Sequence, residues 1–474
     1  MILPKTIKFF LKKPKYFSFV KHFKQDVLVL INRDGRDTLG LFLVYAYLKY
    51  VFKKKVRIKS AIYQKYFWIK LYQPQVAVSV NIDCPSTVNC YKMMQEHGIT
   101  CFMSPTEVFP VQNPKDLISK YEFKNIVDGV FLPGERMKEI YVENDKILPS
   151  QGFAVGFPTF DFAGKELRKF FITKRAFCQK NHIPENHKLI LFVSSFSMAD
   201  YNMNNWEKEC FHWPESNTKE RALAFKTDSI KARELAVVSL SRLLKKHPDW
   251  HILVRKHPIE NGSIYEKLFR KSAQITYWPD EQIYDLLSAS DAVIHWNSTV
   301  SAMAFGMDKP TILLDLETEF FWDKEDALSK NSNYIVANEE QMEKSLNEIF
   351  NTGGAVPEDQ QLARRQFAER WLSGLDGKAA FRTAKLISEF VKKNKNMARA
   401  EMSPLELIRG VMHSIEYALW FWVARFMKFI LNKQKYSLFL SKIKKYDKFY
   451  IEFTRLRYEK AIKKHLLNSV AKHD

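Results

Sequence analysis

Leu189-Ile-Leu-Phe-Val193, followed at once by Ser194 and Ser195, is the stretch of this 474-residue sequence that decides the fold. Five apolar residues in a row, closed by polar ones, are typical of a short strand buried on both faces, as in parallel sheets. Val27-Leu-Val-Leu-Ile31 repeats this form near the start of the chain and leads into Asn32-Arg-Asp-Gly-Arg-Asp37. Two such runs, far apart in the chain, indicate that a parallel sheet begins twice.

Strand-like and helix-like segments alternate after both runs. Further strands are predicted at residues 56–60, 76–80, 126–132 and 147–153 and, after the second run, at 251–255, 275–277, 291–295 and 310–314. Helices are predicted at residues 38–52, 165–181, 229–246, 281–289, 300–305, 339–350 and 358–395, with 200–227 as an insertion or a mobile loop. This order predicts an α/β protein with two Rossmann-like, doubly wound domains and a cleft between them.

Composition divides the chain into four predicted parts. They are a basic, aromatic N-terminal segment (1–24), a first Rossmann-like domain (25–165), a second one (166–395) and a basic, aromatic helical tail (396–474). The formal net charge is +21, which attracts anions such as phospholipid head groups, nucleic acid or phosphorylated and acidic sugars. The sequence has no signature of the common nucleic-acid-binding modules, so nucleic acid is not an expected partner.

The five cysteines and the N-terminal segment indicate the cellular compartment of the protein. The cysteines are odd in number and scattered, without a CxxC pair, so we expect reduced thiols and no metal site. No secretory signal is visible, because charged residues interrupt the N-terminal segment every few positions. A cytoplasmic protein is therefore expected.

Leu253-Val-Arg-Lys-His-Pro258 is the most informative stretch for chemistry. A strand delivers Arg255 and His257 to its carboxyl end, and Pro258 stops the strand. A guanidinium binds two phosphate oxygens at once, and an imidazole adds a further donor or a proton. The alternative is a surface arginine beside a histidine that caps a turn.

A second strand ends at His295, and Asn297-Ser-Thr299 then opens a helix that includes Ser301. Hydroxyl groups and unpaired backbone N–H groups at a helix start favour an anion, although simple capping explains the same residues. Because both motifs follow strands of the same predicted sheet, their loops can converge on one phosphate or diphosphate.

The first domain offers Asp34 and Asp37 as candidate bases for the acceptor hydroxyl, although a self-paired solvated loop explains them equally well. Asp161, at the predicted domain junction, is a further carboxylate that could equally belong to a turn. A P-loop, an HExxH motif and a convincing DxD pair are all missing, so no metal requirement is expected.

Five stretches of the sequence resemble the signatures of bacterial surface carbohydrate biosynthesis proteins and occur along the chain in the family's order. They are residues 191–197, Val254-Arg-Lys-His-Pro-Ile-Glu260, His295-Trp-Asn-Ser-Thr-Val-Ser-Ala-Met-Ala-Phe-Gly306, Val155-Gly-Phe-Pro-Thr-Phe-Asp161 and Asp376-Gly-Lys-Ala-Ala-Phe-Arg-Thr-Ala384. Such proteins are similar to CDP-glycerol glycerophosphotransferases and to capsule transferases that use CMP-linked acidic sugars.

This resemblance implies a GT-B fold, a donor held by the second domain and an acceptor by the first. By position in these motifs, Arg255, His257, Ser298 and Thr299 would contact the donor phosphate. Our full set of donor-binding candidates adds Glu260, Asn297 and Ser301, and our catalytic candidates are Asp34, Asp37 and His257. The expected function is a metal-independent glycosyltransferase of capsule or lipopolysaccharide assembly. It would use a CMP- or UDP-linked sugar, with no separate cofactor, and a glycan or lipid-linked acceptor.

Three other functions stay open. One is polyol-phosphate transfer from CDP-glycerol or CDP-ribitol, which would leave CMP and add a phosphodiester. The others are a non-catalytic assembly protein and a nucleic-acid-binding protein.

The helical tail, residues 396–474, indicates how the protein associates with a membrane. Residues 411–431 are apolar over a membrane's thickness but contain His413, Glu416, Arg425 and Lys428. Such charges disfavour a spanning helix and suit one that lies in the interface of an anionic membrane. The prediction is a peripheral protein on the inner face of the cytoplasmic membrane; a helical hairpin packed on the two domains is the alternative.

Overall fold

A computed structural model of the chain shows two α/β units, one after the other along the chain, each built on a six-stranded β-sheet. It describes residues 23–31, 35–60, 65–79, 85–105, 122–206, 218–257, 260–269, 272–277, 282–296, 298–316, 334–393 and 458–467, with part of 406–430. The statements below concern those residues.

The first sheet has six parallel strands in the order β2-β1-β3-β4-β5-β6. They are β1 (Val27–Ile31), β2 (Val56–Ser60), β3 (Val76–Ser79), β4 (Thr100–Met103), β5 (Gly129–Leu132) and β6 (Gly152–Ala154). All five residues of β1 are fully buried, as expected for a strand covered by helices on both faces.

The second sheet has six parallel strands in the order β12-β11-β10-β7-β8-β9. They are β7 (Lys188–Val193), β8 (Trp250–Arg255), β9 (Ile275–Tyr277), β10 (Ala292–His295), β11 (Thr311–Leu314) and β12 (Tyr334–Val336). The chain reverses its direction of sheet growth between β7 and β10, and ligands of open α/β sheets bind at such a switch point. The prediction of two doubly wound domains is confirmed.

Helices cover both sheets. They are α1 (Gly35–Ala46), α2 (Lys65–Tyr72), α3 (Pro85–Glu96), α4 (Glu135–Glu143), α5 (Lys165–Arg168), α6 (Lys174–Asn181), α7 (Lys219–Lys246), α8 (Gly262–Leu268), α9 (Ile283–Ala289), α10 (Val300–Gly306), α11 (Glu339–Asn351), α12 (Glu358–Leu372) and α13 (Ala379–Lys393). A π-helical turn, Tyr47–Val51, extends α1.

Three helical predictions differ from the structure. The stretch 358–395 is two helices, α12 and α13, and Ser373 ends α12 in the left-handed conformation with φ 52°. The stretch 165–181 is two helices, because Thr173 accepts a hydrogen bond from the N–H of Ala176 at 3.3 Å and starts α6 anew. Residues 219–227, predicted within an insertion or mobile loop, are the first turns of α7. Thr218 caps that helix by accepting from the N–H of Arg221 at 3.3 Å.

The end of the chain returns to the first sheet. Phe390 of α13, which lies inside the predicted domain 166–395, packs edge-on against Phe102 of β4 with 4.9 Å between ring centroids. Residues 458–467 are helical, and Tyr458, Ile462 and Leu466 are buried in the core that includes the first sheet. This part of the predicted membrane tail is packed on the protein, as the alternative reading proposed.

Within the described residues, no helix combines the length and the apolar character that crossing a membrane requires.

Candidate functional site

Three neighbouring strands bring the two predicted motifs to one edge of the second sheet. Val193 at the end of β7 is in register with Arg255 of β8 on one side and with His295 of β10 on the other. Neighbouring strands lie about 4.8 Å apart, so the ends of β8 and β10 are roughly 10 Å apart, across β7. The candidate site is therefore the group of loops that follow β7, β8 and β10.

The loop after β8 carries Arg255 and His257, both half-buried. Its backbone is held at both ends: the N–H of Ser194 donates to the carbonyl of Arg255 at 2.9 Å, and the N–H of Glu260 donates to that of His257 at 3.0 Å. The Lys256 ammonium also turns inward and donates to the carbonyl of Glu260 at 2.9 Å. The side chains of Arg255 and His257 thus start from a fixed turn.

Glu260 lies beneath this loop. Its side chain is 3% exposed, and one carboxylate oxygen accepts hydrogen bonds from the Ser194 and Tyr265 hydroxyl groups. Those two hydroxyl oxygens are 2.5 Å apart. Burial raises the pKa of the Glu260 carboxyl, and the two hydroxyl donors oppose that rise. Glu260 thus links the β7 and β8 loops, and its contact with the donor stays a prediction.

A buried ion pair supports the same loop from behind. Arg233 of α7 donates to the Asp200 carboxylate at 2.7 Å, and the same carboxylate oxygen accepts from the N–H of Asn261 at 2.7 Å. The two side chains are 5% and 13% exposed. Sequence reasoning missed both residues, because they lie far apart in the chain and within no recognisable motif.

The loop after β10 carries the second motif, of which Asn297 lies outside the described residues. Ser298 and Thr299 are half-buried at the start of α10, and Ser301 is fully buried. The Ser301 hydroxyl donates back to the Ser298 carbonyl at 2.6 Å, so it stabilises the turn. Ser298 accepts from the N–H of Val300 at 3.3 Å, whereas Thr299 makes no capping bond with its side chain. Ser298 and Thr299 are the two better placed for a ligand.

His295 and Trp296 fix the base of that loop. His295 is 1% exposed, and burial with the nearby Arg364 guanidinium lowers its pKa to about 3, so the imidazole is neutral. Trp296 stacks on Phe196 of the β7 loop with 4.8 Å between ring centroids. The aromatic contact ties the β7 and β10 loops together.

The two candidate bases of the first domain are Asp34 and Asp37. Asp34 lies outside the described residues, and Asp37 lies in α1 with its side chain outside the description. Both therefore stay predictions.

Asp161 lies at the junction of the two sheets and holds the start of α13 in place. Its carboxylate oxygens accept from the N–H groups of Ala379 and Ala380, at 2.9 and 2.7 Å, and so cap α13. Arg382 of α13 donates to the carbonyl of Val155 at 2.8 Å. The two segments quoted above as residues 155–161 and 376–384 are thus in contact. Burial raises the pKa of Asp161 to about 7, against these two backbone donors.

Metal-binding chemistry finds no support in the described part of the chain, where no group of three or more His, Cys, Asp or Glu side chains could hold an ion.

Comparison with known structures agrees with this architecture. The wall teichoic acid polymerase TagF, as a variant soaked with CDPG, superposes with a TM-score of 0.53 at 14% identity, over 78% of this chain and 90% of that one. Another TagF variant gives 0.52 at 15% identity, over 80% and 94%. A putative UDP-N-acetylglucosamine 2-epimerase from Listeria monocytogenes gives 0.50 at 11% identity, over 80% and 100%. At these identities the likeness shows the fold, and the predicted GT-B architecture is confirmed.

Sequence comparison identifies the family. No curated protein matches this chain. The model of the CDP-glycerol:poly(glycerophosphate) glycerophosphotransferases matches residues 119–389, more than half of the sequence, and this stretch contains every loop of the candidate site. The resemblance to surface carbohydrate biosynthesis proteins is confirmed, and the chain is an enzyme of the transferase class. It belongs to the CDP-glycerol:poly(glycerophosphate) glycerophosphotransferase family.

Proposed function

We propose that this protein transfers a polyol phosphate, such as glycerophosphate, from a CDP-linked donor to a growing polymer. The family match over residues 119–389 carries the proposal, because its description specifies that donor and that acceptor. The main expectation from the sequence, glycosyl transfer from a CMP-linked sugar, has less support than this alternative. It remains the competing reaction.

The loops of the second sheet suit a diphosphate. Arg255 and His257 approach from β8, and Ser298 and Thr299 approach from β10, with β7 between them. The guanidinium would bind two oxygens of the donor, and the hydroxyl groups would bind others. Charge that develops on the phosphoryl oxygens in the transition state would be stabilised by the same groups.

The reaction needs one bond made and one broken. An acceptor hydroxyl oxygen attacks the phosphorus that carries the polyol, and the bond to the bridging oxygen breaks, so CMP leaves and a phosphodiester forms. The acceptor proton has to pass to a base, and His257, Asp34 and Asp37 are the candidates for it.

A donor screen tests this function directly. The purified protein is incubated with an acceptor polymer and, separately, with CDP-glycerol, CDP-ribitol and a CMP-linked acidic sugar. We expect CMP release and new phosphorus in the polymer with a CDP-polyol. Release of CMP from the sugar donor alone, with no phosphorus gained by the polymer, would establish glycosyl transfer instead.

Replacement of Arg255 tests the donor site. Arg255→Ala should weaken CDP-glycerol binding about tenfold or more, because a charge-assisted contact contributes ~1.5 to 3 kcal/mol. Arg365→Ala, an exposed arginine on α12, is the matched control. Calorimetry that gives the same affinity for both variants and the wild type would remove Arg255 from the site.

We also propose that the segment 406–430 binds an anionic membrane, where a lipid-linked acceptor would be reached. Lys70 of α2 pairs with Glu406 at 2.7 Å, which fixes the start of the segment on the first domain. Beyond it, the large apolar side chains that the structure describes are 41–64% exposed, and they recur at three- and four-residue spacing on each side of residues 413–418. They are Ile408, Val411, Met412, Leu419, Trp422, Val423, Phe426 and Ile430.

Vesicle sedimentation tests this surface. Trp422→Asp combined with Phe426→Asp should release the protein from phosphatidylglycerol-containing vesicles. Leu223→Asp combined with Leu362→Asp, at leucines 53% and 50% exposed on α7 and α12, should not. Equal sedimentation of both double variants would exclude the segment as the membrane-binding face.

A further inference from the structure

A basic pocket lies at the amino edge of the first sheet, away from the loops described above. Its volume is about 620 Å³, which is within the usual range for small-ligand sites. It is lined by Lys24, Gln25, Tyr45, Lys49, Lys54, Lys55, Val56 and Arg57. Lys24 and Gln25 precede β1 and Lys54 and Lys55 precede β2, so the pocket is at the strand starts, opposite the carboxyl ends.

The positive charge of this pocket is poorly balanced. Glu459, from the helical segment 458–467, forms an ion pair with Lys49 at 2.9 Å and also accepts a hydrogen bond from the Tyr50 hydroxyl at 2.6 Å. Lys54, Lys55 and Arg57 form no ion pair with any residue that the structure describes. These three cations therefore lack a counter-charge from the described part of the protein.

Asp26, the residue before β1, is already hydrogen-bonded to uncharged donors. Asp26 accepts from the backbone N–H of Lys55 at 2.8 Å and from the Gln75 amide at 3.4 Å. The Asp26 N–H in turn donates to the carbonyl of Lys55 at 2.7 Å. These bonds fix the backbone at the pocket and direct the Asp26 carboxylate to the backbone rather than to the lysine ammonium groups.

The pocket is also anchored from its other side. The N–H of Lys54 donates to the carbonyl of Leu48 at 2.9 Å, and Tyr45 and Val56 are buried beneath the basic side chains. The ammonium of Lys463 lies 5.5 Å from the ring centroid of Tyr50, which adds another cation near the rim. The backbone that carries these cations is therefore held in place by the protein's own hydrogen bonds.

We propose that this pocket is a second anion site, which binds the phosphate groups of a glycerophosphodiester. One guanidinium beside several ammonium groups suits phosphate, since Arg binds two of its oxygens and Lys acts as a point charge. The volume accommodates more than a single phosphate. Soluble glycerophosphate polymer and the head group of phosphatidylglycerol both present this chemistry. The inference does not depend on the donor reaction, because no pocket residue belongs to the candidate site.

Binding measurements on the full-length protein test the site. Lys54→Gln with Arg57→Gln removes two pocket charges at exposed or half-exposed positions. Lys231→Gln with Lys245→Gln removes two exposed charges on α7 and is the matched control. The probes are a soluble glycerophosphate oligomer, followed by calorimetry, and phosphatidylglycerol–phosphatidylcholine vesicles, followed by sedimentation. Each variant is also compared with Arg255→Ala.

We expect the pocket variant to bind at least one probe about tenfold more weakly than the wild type, with the control within twofold. Weaker binding of the oligomer identifies the polymer as the source of the phosphate, and weaker binding of vesicles alone identifies the lipid. Equal affinity of the pocket variant and the control for both probes would overturn the proposal. Arg255→Ala should leave the pocket affinity intact, so a failed donor site and a failed pocket give different results.

Discussion

The contribution of the loop after β8 to donor binding can be tested at Tyr265, a residue of α8 that lies outside that loop. It is fully buried, and its hydroxyl is one of two donors to the Glu260 carboxylate. Tyr265→Phe keeps the ring but removes that donor, and a buried polar group that loses a hydrogen-bond partner costs about 1 to 3 kcal/mol. We therefore expect a lower urea midpoint and weaker donor binding together.

The matched control is Tyr66→Phe, because Tyr66 is 39% exposed and lies on α2, far from the second sheet. It should change neither quantity. A Tyr265→Phe variant with unchanged donor affinity would show that Glu260 supports only the fold.

The sequence predicts the polar residues that follow strand ends better than the buried residues that hold those polar residues in place. Arg255 and His257 follow an apolar run, and a strand end is visible in the pattern itself. The role of Glu260 depends on Ser194 and Tyr265, which only the folded chain brings into contact with it. Asn297 and Asp34 lie outside the described residues, so their roles stay predictions.

The start of α13 is the element whose stability should depend on pH. Asp161 caps this helix with both carboxylate oxygens, and its pKa in the folded protein is raised to about 7. A raised pKa means that the folded state holds a proton that the unfolded state has released. The contribution of this group to stability is therefore greatest below its unfolded pKa of about 3.9 and is lost as the pH rises through 7.

Asp161→Asn should remove this pH dependence. Between pH 5 and 8, the difference in unfolding free energy between the wild type and the variant should fall by roughly 2 to 3 kcal/mol. The variant should also be less stable at pH 5, because its amide NH2 group faces a backbone N–H donor, whereas the protonated carboxyl keeps an oxygen there. Urea titrations at the two pH values measure both effects, and a pH-independent difference would place the Asp161 pKa in its ordinary range.

Element prediction succeeds where the period is clear and fails where an element is short or starts at a cap. The long apolar runs β1 and β7 lie where the sequence predicts them. β4 and β12 were not predicted, whereas the equally short β9 was, because three or four residues give too little pattern for a consistent prediction. The early start of α7 depends on the Thr218 cap, and a single hydroxyl before a polar stretch is a weak sequence signal.

At the scale of the molecule, the helical segment 458–467 holds the two sheets together. Tyr458 donates to the Gln282 side chain before α9 at 3.3 Å, while Glu459 accepts from Lys49 after α1. His465 lies edge-on to Phe170, with 6.0 Å between ring centroids. No sequence pattern shows where such a segment docks, because its partners lie in both domains and are hundreds of residues away.

Ile462, on the buried face of this segment, is fully inaccessible to solvent and gives the last test. Ile462→Ala should lower the unfolding free energy by about 2 to 5 kcal/mol, because it leaves a cavity between the segment and the core. Leu467→Ala, at a position 38% exposed on the same segment, is the control and should have a much smaller effect. If the segment joins the two domains, Ile462→Ala should also expose the interdomain stretch 164–173 to limited proteolysis, because that stretch contacts His465 through Phe170. Equal urea midpoints and cleavage patterns for the two variants would mean that the segment rests on the surface without joining the domains.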